Sequence, residues 1–116
     1  MEAVKQSIRQ AEEAHKVWVD EMVETKKPVD EVVKLFSGDF PINRADLLGL
    51  GQYPQLPEIR HCLCLALSKC NMKNKDIQKM TGWEQSRISK SLLIARRRNF
   101  EPEFNVKTQK LIELIK

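Results

Sequence analysis

The chain is expected to be all-α, and three observations lead there. Apolar residues recur at steps of three and four in one segment after another, as the inner face of a helix requires. The four glycines and several of the prolines fall where those segments start or stop. The stretch Asn74–Arg98, NKDIQKMTGWEQSRISKSLLIARRR, reads as two helices joined by a tight turn at Gly82. The expected architecture is an N-terminal helical region over residues 1–56, then a three-helix unit with a short closing helix over residues 57–116.

Residues 2–26 form the first expected helix. Val4, Ile8, Ala11, His15, Trp18 and Met22 step along it as a heptad-like stripe, widened by Val19 and Val23. The stripe has two possible partners: its own domain, or the same helix of a second subunit. In the second case Val4, Ile8, Trp18 and Met22 are the dimerisation residues. Lys26-Lys27-Pro28 ends this helix, and Pro28 opens the next, which buries Val29, Val32, Val33 and Phe36. Ser37-Gly38-Asp39 breaks it and Phe40-Pro41 is extended. Asn43, with Asp46 three residues on, has the spacing of a capping box. The short helix it opens carries Leu47, Leu48 and Leu50 and stops at Gly51. Gln52 to Leu56, containing Pro54, links the two halves.

Pro57 starts a helix running to about Cys70, with Ile59, Leu63, Ala66 and Leu67 inside and Cys62 and Cys70 beside them. Next come the two helices of the central stretch. Ile77 and Met80 face inward on the first. Gly82 closes it where a positive φ is wanted, and Trp83 follows as a large apolar plug. Ile88, Leu92 and Ala95 form the inner face of the second. Its outer face carries Gln85, Ser86, Ser89, Lys90, Leu93, Arg96 and Arg97. Beyond Arg98 the chain turns at Asn99 to Pro102. Asn105 then caps a last helix with Thr108, Leu111, Ile112 and Ile115 on one side, packed on its own domain or on a second copy.

The spacing of Ile77, Gly82, Trp83 and Ile88 resembles the helix-turn-helix of DNA-binding transcription regulators, whose second helix enters the major groove. The chain departs from that pattern at Gln78, where the family usually has alanine, and at Trp83, where it usually has valine. With the Pro57 helix in front, the unit is similar to region 4 of bacterial sigma factors and to response-regulator output domains. The run S-R-I-S-K-S-L-L-I-A-R also resembles plasmid-partition centromere-binding proteins. These resemblances imply double-stranded DNA as partner.

Charge agrees with that implication. The chain carries +4 overall, but residues 1–56 are net −3 and residues 57–116 net +7. A basic half suits phosphate, and an acidic half suits a protein partner. Residue chemistry then assigns roles. Gln85 can pair with adenine and Lys90 with guanine, while Ser86 and Ser89 fit either as base contacts. Lys73, Lys75, Arg87, Arg96, Arg97 and Arg98 are the phosphate candidates. The expected function is sequence-specific regulation of transcription by a homodimer. The alternatives are a DNA-segregation or replication accessory protein, and a protein-interaction module built on the same scaffold.

Other classes find no support in the sequence. It has no glycine-rich phosphate loop. His15 and His61 lie in apolar-periodic helices, and no Ser/His/Asp set can be assembled, so no enzyme is expected. Cys62, Cys64 and Cys70 lack zinc-site spacing and read as free thiols of a reducing compartment. No cofactor or metal is expected. The longest apolar run, Cys62 to Leu67, is too short to cross a bilayer and the N-terminus is too polar for a signal peptide, so a cytoplasmic, nucleoid-associated protein is expected.

Overall fold

The computed structural model describes residues 2–36, 43–49 and 56–116, with side chains from residue 10 onward. Every regular element among them is helical: α1 (Glu2–Thr25), α2 (Lys27–Phe36), α3 (Arg44–Leu48), α4 (Leu56–Lys69), α5 (Asn74–Thr81), α6 (Gln85–Arg98) and α7 (Pro102–Ile115). The expected features at Ser37 to Pro41, at Leu50 and Gly51, and along the link before Leu56 lie outside the described residues, as do the side chains of Val4 and Ile8.

The centre of the fold is α4. It touches α2, α3, α5, α6 and α7. Six consecutive residues, Cys62 to Leu67, are buried, because a helix with neighbours on every side has no face left for water. This widens the expected inner face, which omitted Cys64 and Leu65. Helix α4 ends in a Schellman arrangement. Asn71 takes the left-handed conformation at φ 63°. The Asn71 amide donates to the Ser68 carbonyl at 3.0 Å and the Met72 amide to the Leu67 carbonyl at 3.0 Å. Buried Met72 then seals the turn.

Helix α1 lies against α5 and α2. Its second half is anchored on the chain's own core, with Val19 and Met22 buried and Trp18 and Val23 packed against that cluster. Of the expected dimerisation residues, Met22 is 4% exposed and sits in the chain's own core, while Trp18 is half-buried against it. Higher up, Ala11 and Ala14 are exposed.

Helix α3 is set by its cap. The Asp46 amide donates to Asn43 Oδ1 at 2.8 Å and the Asn43 amide to Asp46 Oδ2 at 3.3 Å, the reciprocal box the spacing predicts. The helix ends earlier than expected, with Gly49 as C-cap. Arg44 pairs with Asp30 and ties α3 to α2.

Helix α7 packs on α4 and α2, with Phe104, Thr108, Leu111, Ile112 and Ile115 buried. The expected start at Asn105 is corrected. Pro102 begins the helix, where proline's missing N–H costs nothing. Asn105 sits inside it and donates back to Asn99, at 3.2 Å to Oδ1 and 3.4 Å to the carbonyl. Buried residues from both sides of position 56 form one cluster, so the acidic and basic segments share a core.

Candidate nucleic-acid interface

Helices α5 and α6 are joined by Gly82, Trp83 and Glu84. Gly82 has φ +79°, the left-handed value expected of it, and its amide donates to the Gln78 carbonyl at 2.7 Å. A Cβ placed there would meet nothing within 4 Å, so glycine is required for its backbone conformation and not for space. Thr81 adds a hydrogen-bonded brace. Its hydroxyl donates to the Ile77 carbonyl at 2.7 Å and accepts from the Trp83 amide at 3.2 Å. Sequence reading passed over Thr81, although threonine immediately before a C-cap glycine is a signal for this hydroxyl bridge.

The inner face of α6 is held as expected, with Ile88, Leu92 and Ala95 buried against α4 and α5. That fixes the rotation of the helix. Gln85, Ser86, Ser89, Lys90, Leu93, Arg96 and Arg97 are therefore exposed on the other side. Two of them are already oriented by α5: Gln85 Nε2 donates to Gln78 Oε1 at 3.1 Å, and Asn74 Nδ2 donates to Ser89 Oγ at 3.2 Å. Thus Gln78 steers Gln85. Helix α6 contains five basic residues and no acidic one. Among the described residues Arg87, Lys90, Arg96 and Arg97 form no ion pair.

Arg98 differs from its neighbours. It pairs with Glu58 at 3.4 Å and Glu101 at 3.3 Å, and its guanidinium carbon lies 5.2 Å from the centre of the Phe104 ring. Unlike the exposed Arg96 and Arg97, Arg98, expected as a phosphate contact, is half-buried and fastens α6 to α4 and α7. Beside it, burial and the charge of Arg98 lower the pKa of His61, opposed by Glu58, with Arg60 lowering it further. His61 Nδ1 is buried with no hydrogen-bond partner.

Lys73 and Lys75 stand exposed at the start of α5. Lys73 is the N-cap and makes no side-chain cap. Together with Lys79 and Lys16 they border a groove of about 490 Å³ between α1 and α5 that also holds Glu12, Asp20 and Asp76. Above the groove His15 Nε2 donates to the Asn71 carbonyl at 3.1 Å and stacks on Trp18 with ring centres 5.8 Å apart. Sequence reading missed Lys79, and also Arg60, which belongs to an apolar stretch yet reaches the surface near Trp83. The chain holds free thiols at Cys62, Cys64 and Cys70. Burial pushes Cys62 up to about 11 and Cys64 up to about 12, which keeps both protonated.

Among the described residues no group of His, Cys, Asp and Glu is placed to hold a metal ion, and no helix is long and apolar enough to cross a membrane. The described residues form an all-helical fold with a basic, acid-free helix exposed along one face. No family model, curated protein or solved structure matches the chain.

Proposed function

We propose that this chain binds double-stranded DNA in a sequence-specific manner and regulates transcription as a homodimer. In this reading α5, the Gly82 turn and α6 are a helix-turn-helix, and α6 lies in the major groove. One observation carries it: a helix without acidic residues presents Gln85, Ser86, Ser89 and Lys90 from a fixed inner face, flanked by Arg96 and Arg97, which form no ion pair among the described residues. Gln85 and Lys90 are five residues apart, about one and a half turns, so their tips can meet neighbouring base pairs. Arg87, Arg96, Arg97, Lys73 and Lys75 supply phosphate contacts, and Arg98 supplies none. The dimer contact is proposed on α1, at Val4, Ile8 and Trp18, with Met22 committed to the core.

The test is selection of bound sequences from a random DNA pool, followed by binding of Gln85→Ala and Lys90→Ala to the preferred site and its single-base variants. Each substitution should cost roughly 1–3 kcal/mol on the preferred site and relax specificity at one position. Non-specific affinity should stay almost intact. Retention of the full base preference by both variants would remove α6 as the reading helix.

A protein-interaction module is the second reading. It is favoured by Leu93, 52% exposed on the outer face of α6, and Phe100, 90% exposed just beyond it. Apolar groups so placed fit a protein surface. The absence of any salt-dependent DNA affinity would select this reading.

A further inference from the structure

Between the end of α3 and the turn into α6 lies a hollow of about 430 Å³ bordered by Leu48, Gly49, Gly82, Trp83, Glu84 and Arg87. Arg60, from α4, stands over the Trp83 ring with its guanidinium carbon 6.0 Å from the ring centre. It is held in place: Nε donates to the Leu47 carbonyl at 3.1 Å and an Nη to the Gly49 carbonyl at 3.2 Å. Those bonds use two of the five N–H donors of a guanidinium. Among the described residues neither Arg60 nor Arg87 has a carboxylate partner, and Glu84 at the rim pairs with neither. Burial, and then the nearby Arg87 charge, lower the pKa of Arg60. Trp83, whose ring borders the hollow, is 5% exposed, and among the described residues its buried indole N–H has no acceptor.

Arg87 borders the hollow, and Arg60 is held on the Gly49 carbonyl and over the Trp83 ring that also border it. Two guanidiniums without a carboxylate partner among the described residues make a field that an anion relieves. The guanidinium fork matches phosphate oxygens in pairs. We propose that Arg60 and Arg87 together bind one phosphate group in this hollow, at the side of the turn that opens α6. The group has two possible carriers, the backbone of a DNA strand passing the turn or a small phosphorylated molecule. The DNA carrier rests on the reading of α6 given above, whereas the site does not. Glu84 opposes the anion at the rim, so its removal should tighten binding.

The experiment has two arms, both on the full chain. In the first, inorganic pyrophosphate is titrated at constant ionic strength, followed by calorimetry and by the fluorescence of Trp83 in a Trp18→Phe background. Saturable binding is expected, weakened roughly tenfold or more by Arg87→Gln and by Arg60→Gln and strengthened by Glu84→Gln. Arg87 makes no hydrogen bond among the described residues, so its variant tests the site even if Arg60→Gln unfolds. In the second arm, Arg60→Gln and Arg87→Gln should each lower the slope of log affinity for duplex DNA against log salt by about one unit. A change in Arg87→Gln alone leaves Arg87 as a separate phosphate contact and overturns a DNA phosphate shared with Arg60. Response in the first arm alone assigns the small molecule, and response in the second alone assigns DNA. Pyrophosphate binding unaltered by all three substitutions, with an unchanged DNA slope, overturns the site. If the wild type binds no DNA, the DNA reading fails and the pyrophosphate arm alone decides this one.

Discussion

Trp18 donates its indole N–H to the carbonyl of Ile115 at 2.9 Å, across 97 positions of sequence. The bond joins the first helix to the end of the last. It also places His15, which stacks on Trp18, over the Asn71 turn that leads into α5. Through these contacts α1 braces the helix pair proposed to meet DNA. Trp18→Phe keeps most of the ring and loses the donor. It should destabilise the fold by about 1 kcal/mol and speed amide exchange in α1 more than in α4. Equal exchange in both helices of variant and wild type would show that this bond holds nothing.

Gly82 tests the turn. Since a Cβ meets nothing there, the penalty for a side chain is that of the left-handed backbone alone. Gly82→Val should cost on the order of 1–2 kcal/mol or more, and Gly82→Asn distinctly less, because asparagine tolerates this conformation. Thermal melting of the two variants gives the order. Valine and asparagine melting together would remove the left-handed turn as the reason for glycine.

The three consecutive arginines should separate into two kinds. Arg96→Ala with Arg97→Ala should weaken binding to all DNA sequences alike and flatten the salt dependence by about one unit per lost phosphate contact. Arg98→Ala should leave that slope unchanged and instead lower stability by about 1 kcal/mol, since it removes two partly exposed ion pairs and a ring contact. Salt titrations and melts of the same proteins check both halves. A slope change in Arg98→Ala would return that residue to the phosphate set.

His61 makes stability depend on pH. Its folded-state pKa is lowered, first by burial and then by Arg98, so the unfolded chain takes up the proton more readily than the folded one. Stability should therefore be full above the ordinary histidine value of about 6.5 and fall as pH drops from there toward the lowered folded-state value. Melting temperatures across that window should decline less in His61→Gln than in the wild type. Parallel curves would assign the decline to other groups.

Much of the fold is legible in sequence because its determinants are local. Helical spacing is set by 3.6 residues per turn, so Ile88, Leu92 and Ala95 announce the inner face of α6 without reference to a partner. The positive φ at Gly82 and the reciprocal cap of Asn43 and Asp46 each depend on a few consecutive residues, and both stand in the structure as the sequence predicts. The outer face of α6, with Gln85, Ser86, Ser89 and Lys90, follows from the inner one.

What periodicity cannot say is which neighbour fills each face. The stripe on α1 suited a second subunit as well as its own chain until Met22 and Val19 met the core. Arg98 looked like Arg96 and Arg97 because a run of like residues hides the two acids and the ring that reach only one of them. Asn105 had the composition of a cap but lies one turn inside α7, since Pro102 had already supplied a starting φ. Arg60 belongs to an apolar helix, yet packing of α4 sets it over the Trp83 ring and against the Leu47 and Gly49 carbonyls. Each of these outcomes depends on groups brought together from distant parts of the chain, and a side chain's charge, exposure and partners exist only once those groups have met.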